Sequence, residues 1–241
     1  MNEPQSTTAA TRLKFNNHRA AVFPMLTLLL ATSAGAGLVI ARVFLSGRWS
    51  YLSLIWNLFL AWLPLVFALG VCRQYRAGAG AGWKLWTLAG LWLLFFPNAP
   101  YIFTDLIHLN TWFHMHYWAD LAMILLVALT GFLLGFVSLY LMQSVVADRL
   151  GRLAGWLFIV VVAALSGLGI YIGRFLRWNS WDVFVHPVGL SMDLGRLAAH
   201  PLVNARSFVF QALFAAFLFF GYLMLYALTH LQPAQRTDAA A

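Results

Sequence analysis

The apolar run that begins near Leu85 is interrupted by Phe96-Pro97-Asn98-Ala99-Pro100-Tyr101 before it resumes through Ile102 and Phe103. From Leu85 to Phe96 is twelve residues, about 18 Å of helix, which falls short of a hydrocarbon core of about 30 Å. Carried on to Phe103, the run is long enough to span. Both prolines then fall at membrane depth. Each removes a backbone donor and disfavours helical geometry in the residue before it. Irregular backbone survives inside a bilayer only where protein buries it or where it lines a wet cavity. The rest of the chain must therefore pack around this interruption, and the backbone is expected to leave the helix over Phe96 to Ala99.

Five further apolar runs reach spanning length, at about Val22–Leu45, Tyr51–Val71, Ala119–Met142, Leu153–Gly173 and Ser207–Thr229. Charged residues make up 9% of the chain, against about 25% in soluble domains. Long unbroken runs exclude a β-barrel, whose strands alternate over short segments. The fold class expected is all-α, a polytopic bundle of about six transmembrane helices with a broken third span. Residues 1–20 read as a polar cytoplasmic tail, 21–231 as one transmembrane domain and 232–241 as a polar C-terminal tail. Ala31-Thr32-Ser33-Ala34 resembles a signal-peptidase site, but the run resumes with Leu38-Val39-Ile40, which favours an uncleaved helix.

The net charge is +8, yet the cations lie in tails and short loops as topology determinants do, so no nucleic-acid partner is implied. Six spans with both termini inside place nine of the fifteen Lys and Arg in the cytoplasm. The last outer segment breaks that bias with Arg174, Arg177, Arg196 and Arg206. The outer loop after the third span carries Asp105 and no cation. At the edge of the membrane an arginine needs a carboxylate or phosphate partner, so Asp105 is expected beside Arg174 or Arg177.

Several smaller features complete the reading. Asn57 lies inside the second span and needs a partner there, as helix-to-helix glue or as a ligand contact. Gly131 and Gly135, and again Gly169 and Gly173, stand four apart and invite close backbone approach. Cys72, the single cysteine, reads as a small membrane-facing side chain. Met192 to Ala199 reads as a short amphipathic helix. No tandem repeat or inverted pair of broken helices is present, which argues against a secondary transporter.

Three motifs in order, Trp56-Asn57-Leu58-Phe59-Leu60-Ala61-Trp62, then Phe96-Pro97-Asn98-Ala99-Pro100-Tyr101 with Thr104-Asp105-Leu106 and His108-Leu109, then Gly169 through Asp182, resemble a bacterial family of membrane proteins known only as domain of unknown function 1361. The resemblance implies a multi-pass protein of the bacterial inner membrane. It implies no activity and no cofactor.

The polar residues leave three readings open. The first is an outer pocket for an anionic small molecule or lipid headgroup. Its candidate residues are Asn57, Asn98, Tyr101, Thr104, Asp105, His108, Tyr171, Arg174, Arg177, Trp178, Asn179 and Asp182. If helix restarts at Pro100, its free N–H groups would add to that pocket. The second is a metal-dependent membrane enzyme using Asp105, His108, His114 and His116, permitted ligand types at a spacing that matches no strong motif. The third is a non-catalytic scaffold, with the glycine pairs packing the bundle or joining copies in a homo-oligomer.

Overall fold

A computed structural model of the chain describes residues 18–78, 82–111, 117–200 and 204–230. The helices are α1 (His18–Ser46), α2 (Leu52–Arg76), α3 (Trp83–Phe95), α4 (Asn98–Tyr101), α5 (Tyr117–Leu150), α6 (Arg152–Tyr171), α7 (Asp182–Val185), α8 (Pro187–Ala199) and α9 (Ala205–Thr229). A 3-10 stretch over Ile102–Thr111 continues α4, and a π-helical turn over Ile172–Leu176 continues α6. Among the described residues there is no β-strand. Among the described residues, six stretches are long and apolar enough to cross a membrane: Val22–Ser46, Trp49–Arg76, Trp83–Ile107, Tyr117–Leu150, Arg152–Leu176 and Ala205–Thr229. The chain is a multi-pass membrane protein with the all-helical architecture expected from its apolar runs.

The centre of the bundle is α5, which packs on α1, α2, α4, α6 and the 3-10 stretch. It is the most buried span, and α9, which leans mainly on α6, is the least. In lipid there is little hydrophobic drive between helices, so close packing and polar bonds must hold the spans together. Both are visible. The Trp62 indole donates to Thr32 Oγ1 at 3.1 Å, tying α2 to α1. The fully buried Trp92 donates to Ser138 Oγ at 3.3 Å, tying α3 to α5. The Tyr222 hydroxyl donates to Gln143, tying α9 to α5. Each such bond is worth about 0.6–2 kcal/mol.

Three local expectations need correction. The fourth helix does not stop near Met142 but runs to Leu150. Asp148 and Arg149 therefore belong to it, where Asp148 accepts from the Tyr75 hydroxyl and the Arg149 guanidinium lies 4.8 Å from the Tyr75 ring centre. The chain then reverses at Gly151, whose φ of +92° suits only glycine. Cys72 does not face lipid, because the 3.6-residue periodicity turns it toward α5, where it is buried with Sγ 3.9 Å from the Leu141 carbonyl. The amphipathic helix starts at Pro187 rather than Met192, since proline is well suited to a first helical turn.

Candidate functional site at the interrupted span

The interruption is narrower than its two prolines suggest. Only Phe96 and Pro97 leave the helix, and both keep helical dihedral angles. Asn98 and Ala99, expected outside helix, already belong to α4. The reason is visible in the hydrogen bonds: Ala99 N–H donates to Phe96 at 3.1 Å and Tyr101 N–H to Pro97 at 3.1 Å. Pro100 falls where its missing donor costs little. Helix therefore restarts at Asn98, not Pro100. A single turn of four residues with these donors in use does not offer the expected anion-binding helix end.

Two glycine pairs clamp this turn. A Cβ on Gly131 would lie 2.6 Å from Ile102 and 3.0 Å from the Ala99 carbonyl, and one on Gly135 would lie 3.0 Å from Ala99 Cβ. From the other side, a Cβ on Gly169 would lie 2.7 Å from Pro97 Cγ, and one on Gly173 would lie 3.3 Å from the Tyr101 ring. Small residues on α5 and α6 thus let both helices close on the break, which buries its backbone as the bilayer demands.

Beside the break lies a cavity of about 180 Å³. Its polar lining comes from three places: Asn57 on α2, Asn98 and Tyr101 on α4, and Trp178, Asn179 and Ser180 after α6. Asn98 Nδ2 donates to its own Phe95 carbonyl and to Ser180 Oγ, both at 2.9 Å, and so stitches the break to the last segment. The Trp178 indole donates to Asp193 of α8 at 3.0 Å, which holds that segment against the amphipathic helix.

Behind the wall sits the charge cluster. Asp105 is 5% exposed. It accepts from Arg174 at 3.2 Å and from Asn57 Nδ2 at 2.9 Å. The Arg174 guanidinium lies 6.0 Å from the Tyr101 ring centre. Asn57 and Tyr101 therefore face the cavity on one side and the ion pair on the other. The pairing of Asp105 with an arginine of the last segment is the one the charge argument calls for.

Arg177 differs from Arg174. It is exposed; its backbone N–H donates to the Ile172 carbonyl, and among the described residues its side chain makes no hydrogen bond or ion pair. It is also the single non-glycine residue with positive φ, at +60°, among the described residues. That conformation costs a side-chain-bearing residue about 1–2 kcal/mol. The π-turn before it and the left-handed residue itself re-aim the chain, so that Trp178, Asn179 and Ser180 fold over the break. Such irregularities gather at functional sites.

The remaining candidates do not line the cavity. Thr104 Oγ1 donates to the Tyr101 carbonyl at 2.7 Å, a local helix bond. Tyr171 accepts from Ser207 at 2.8 Å and stacks on Phe175, so it serves the contact with α9. Asp182 accepts from the Asn179 backbone N–H at 2.6 Å and fixes the turn. The side chain of His108, and His114 and His116 entirely, lie outside the described residues. No group of three or more His, Cys, Asp or Glu able to hold a metal occurs among the described residues.

Sequence reasoning missed Ser180, although it stands inside the Trp178–Asp182 motif. It also missed a second buried ion pair. Asp120, 1% exposed, accepts from Arg42 Nε at 2.5 Å and Nη2 at 2.9 Å, and from the Tyr51 hydroxyl at 3.1 Å. The signal was present, since span counting puts Arg42 and Asp120 at the same end of the bundle.

Residues 56–220, well over half of the chain, match the family described as Protein of unknown function (DUF1361). The chain belongs to that family. The DUF1361 match takes in every cavity-lining residue and the Asp105–Arg174 pair, and it begins at the lining residue Trp56. The Arg42 and Tyr51 contacts to Asp120 fall partly outside it. No curated protein and no solved structure matches the chain.

Proposed function

We propose that this protein recognises an anionic small molecule or lipid headgroup in the cavity at the interrupted span. The observation that carries the reading is the composition of that wall. Polar side chains of Asn57, Asn98, Tyr101, Trp178, Asn179 and Ser180 line one cavity, the Asp105 carboxylate behind it is paired with Arg174, and Asp182 and Asp193 accept from the lining residues Asn179 and Trp178. The same end of the bundle carries six arginines, at 42, 48, 174, 177, 196 and 206, against four aspartates, at 105, 120, 182 and 193. The uncompensated charge is positive, and Arg177, exposed and outside the cavity lining, directly precedes the lining residues Trp178 and Asn179 in the chain. An anion placed there would meet the Tyr101 and Ser180 hydroxyls and the second N–H of Asn57, whose first donates to Asp105, while the Asn98 amide and the Trp178 indole already donate within the protein.

The family resemblance favours the bacterial inner membrane, and the distribution of Lys and Arg supports both termini in the cytoplasm, and hence an outer cavity. Thermal unfolding of the purified protein tests the reading. Glycerol 1-phosphate and phosphatidylglycerol should raise the midpoint and phosphatidylcholine should not; Arg177→Gln should remove the effect while leaving the unliganded midpoint near that of the wild type, and Asn98→Ala, which loses the bonds to Phe95 and Ser180, should remove it and also lower the unliganded midpoint. Equal responses to anionic and zwitterionic additives would refute it.

A further inference from the structure

An apolar groove of about 570 Å³ adjoins the polar cavity. It runs between α3 and α6 and is lined by residues such as Gly90, Leu91, Leu165 and Leu168. Leu94, Pro97, Gly169, Ile172 and Val183 line both spaces and mark where the two meet. The groove's two hydroxyls are turned back onto their own helices: Thr87 donates to the Trp83 carbonyl at 2.9 Å and Ser166 to that of Val162 at 2.7 Å. Nothing in the groove is left to meet a polar ligand.

Its position matters as much as its polarity. Along α3 the lining runs from Thr87 to Pro97, and along α6 from Leu165 to Ile172. At 1.5 Å per residue that is about 15 Å and about 10 Å. A hydrocarbon core is about 30 Å thick, so the groove has the reach of chains in a single leaflet. The polar cavity lies toward the end of the bundle where the arginines gather, and the apolar groove lies deeper along the spans. Polar end, then apolar length, is the order of groups in a membrane lipid.

We infer that the ligand is an anionic membrane lipid, with its headgroup in the cavity and one hydrocarbon chain in the groove between α3 and α6. This rests on the headgroup reading given above and adds the chain to it. The physical division of labour follows. Lipid tails are as apolar as leucine, so the groove selects by shape, while the headgroup contacts supply specificity. Val183 of α7 lines both spaces, and its neighbour Phe184 lines the groove. The short helix after the break-covering segment thus stands at the junction of headgroup and chain.

Gly90 allows a test. A Cβ at this residue would meet nothing within 4 Å, so the side chain of Gly90→Leu leaves the helix into open space at the groove lining. The full-length protein is titrated in mixed micelles with dioleoyl phosphatidylglycerol, dioleoyl phosphatidylcholine and glycerol 1-phosphate, read by native mass spectrometry and by thermal shift. Gly90→Leu should weaken phosphatidylglycerol by at least about tenfold, some 1.4 kcal/mol, and leave the glycerol 1-phosphate response unchanged. Asn98→Ala and Arg177→Gln should weaken both anionic probes. Wild-type phosphatidylglycerol binding by Gly90→Leu would overturn the seated chain and leave the headgroup reading standing. Binding of phosphatidylcholine as tight as phosphatidylglycerol, or no effect of Asn98→Ala and Arg177→Gln on either anionic probe, would overturn both.

Discussion

The ion pair behind the cavity wall makes a quantitative test of how the site is held. Asp105 and Arg174 meet at 3.2 Å with side-chain exposures of 7% and 17%. At an effective dielectric constant of about 20, two unit charges at that distance attract by about 5 kcal/mol. Desolvation of both groups offsets much of this, so the pair need not stabilise the fold more than apolar residues of the same size would. Removing one partner is different, because it strands the other charge and costs about 3–5 kcal/mol. Arg174 keeps some access to water, which puts Asp105→Asn toward the lower figure, about 3 kcal/mol. Arg174→Gln strands Asp105 with Asn57 as a remaining donor, for a similar loss. The double variant strands neither charge. Its loss should fall short of the summed single losses by about 2 kcal/mol, within the range of coupling for residues in contact. Equilibrium unfolding in mixed micelles, with increasing mole fraction of a denaturing detergent, measures all four proteins. Additivity within about 0.5 kcal/mol would refute the argument and reduce the pair to an incidental contact.

Three further outcomes follow from the geometry. Gly169→Ala would set a Cβ 2.7 Å from Pro97 Cγ, and since the proline ring cannot swing away, the same unfolding assay should show a loss of about 1–3 kcal/mol. Arg177→Gly relieves the left-handed conformation at φ +60° and should stabilise the unliganded protein by about 1 kcal/mol. It should also abolish the midpoint shift with phosphatidylglycerol, a gain in stability at the expense of binding. Reporter domains fused after Gly80 and after Met115 should read cytoplasmic and external respectively, and the reverse pattern would move the cavity to the inner face.

The fold was largely legible in the residues, and so was part of the candidate site. Six apolar runs announced six spans because hydrocarbon requires about twenty consecutive apolar residues per helix. Their observed limits differ mainly where polar residues extend a helix beyond the membrane, as at Asp148 and Arg149 of α5. The Asp105–Arg174 pairing was legible from charge alone, since a carboxylate and a guanidinium placed at one membrane edge have few other partners. Ser180 and the Arg42–Asp120–Tyr51 cluster were not read. Their partners stand 82, 78 and 69 residues away in sequence, and no local pattern specifies which of several polar groups at one end will meet.

Span number, the apolar character of the core and the presence of a break were determined by the sequence itself, because each follows from local solvation and from proline's missing donor. Tertiary structure decided the rest. It confined the break to Phe96 and Pro97, since the Ala99 and Tyr101 N–H groups already donate to the Phe96 and Pro97 carbonyls and glycines on the neighbouring helices let them close on that turn. It placed Arg174 inward on Asp105 and left Arg177 outward, a difference set by the π-turn that ends α6 and not by anything in the two side chains. It also set an apolar groove beside a polar cavity along a shared lining. That juxtaposition depends on where α3, α6 and the segment after α6 pack, and packing is fixed by contacts between distant residues rather than by the order in which they occur.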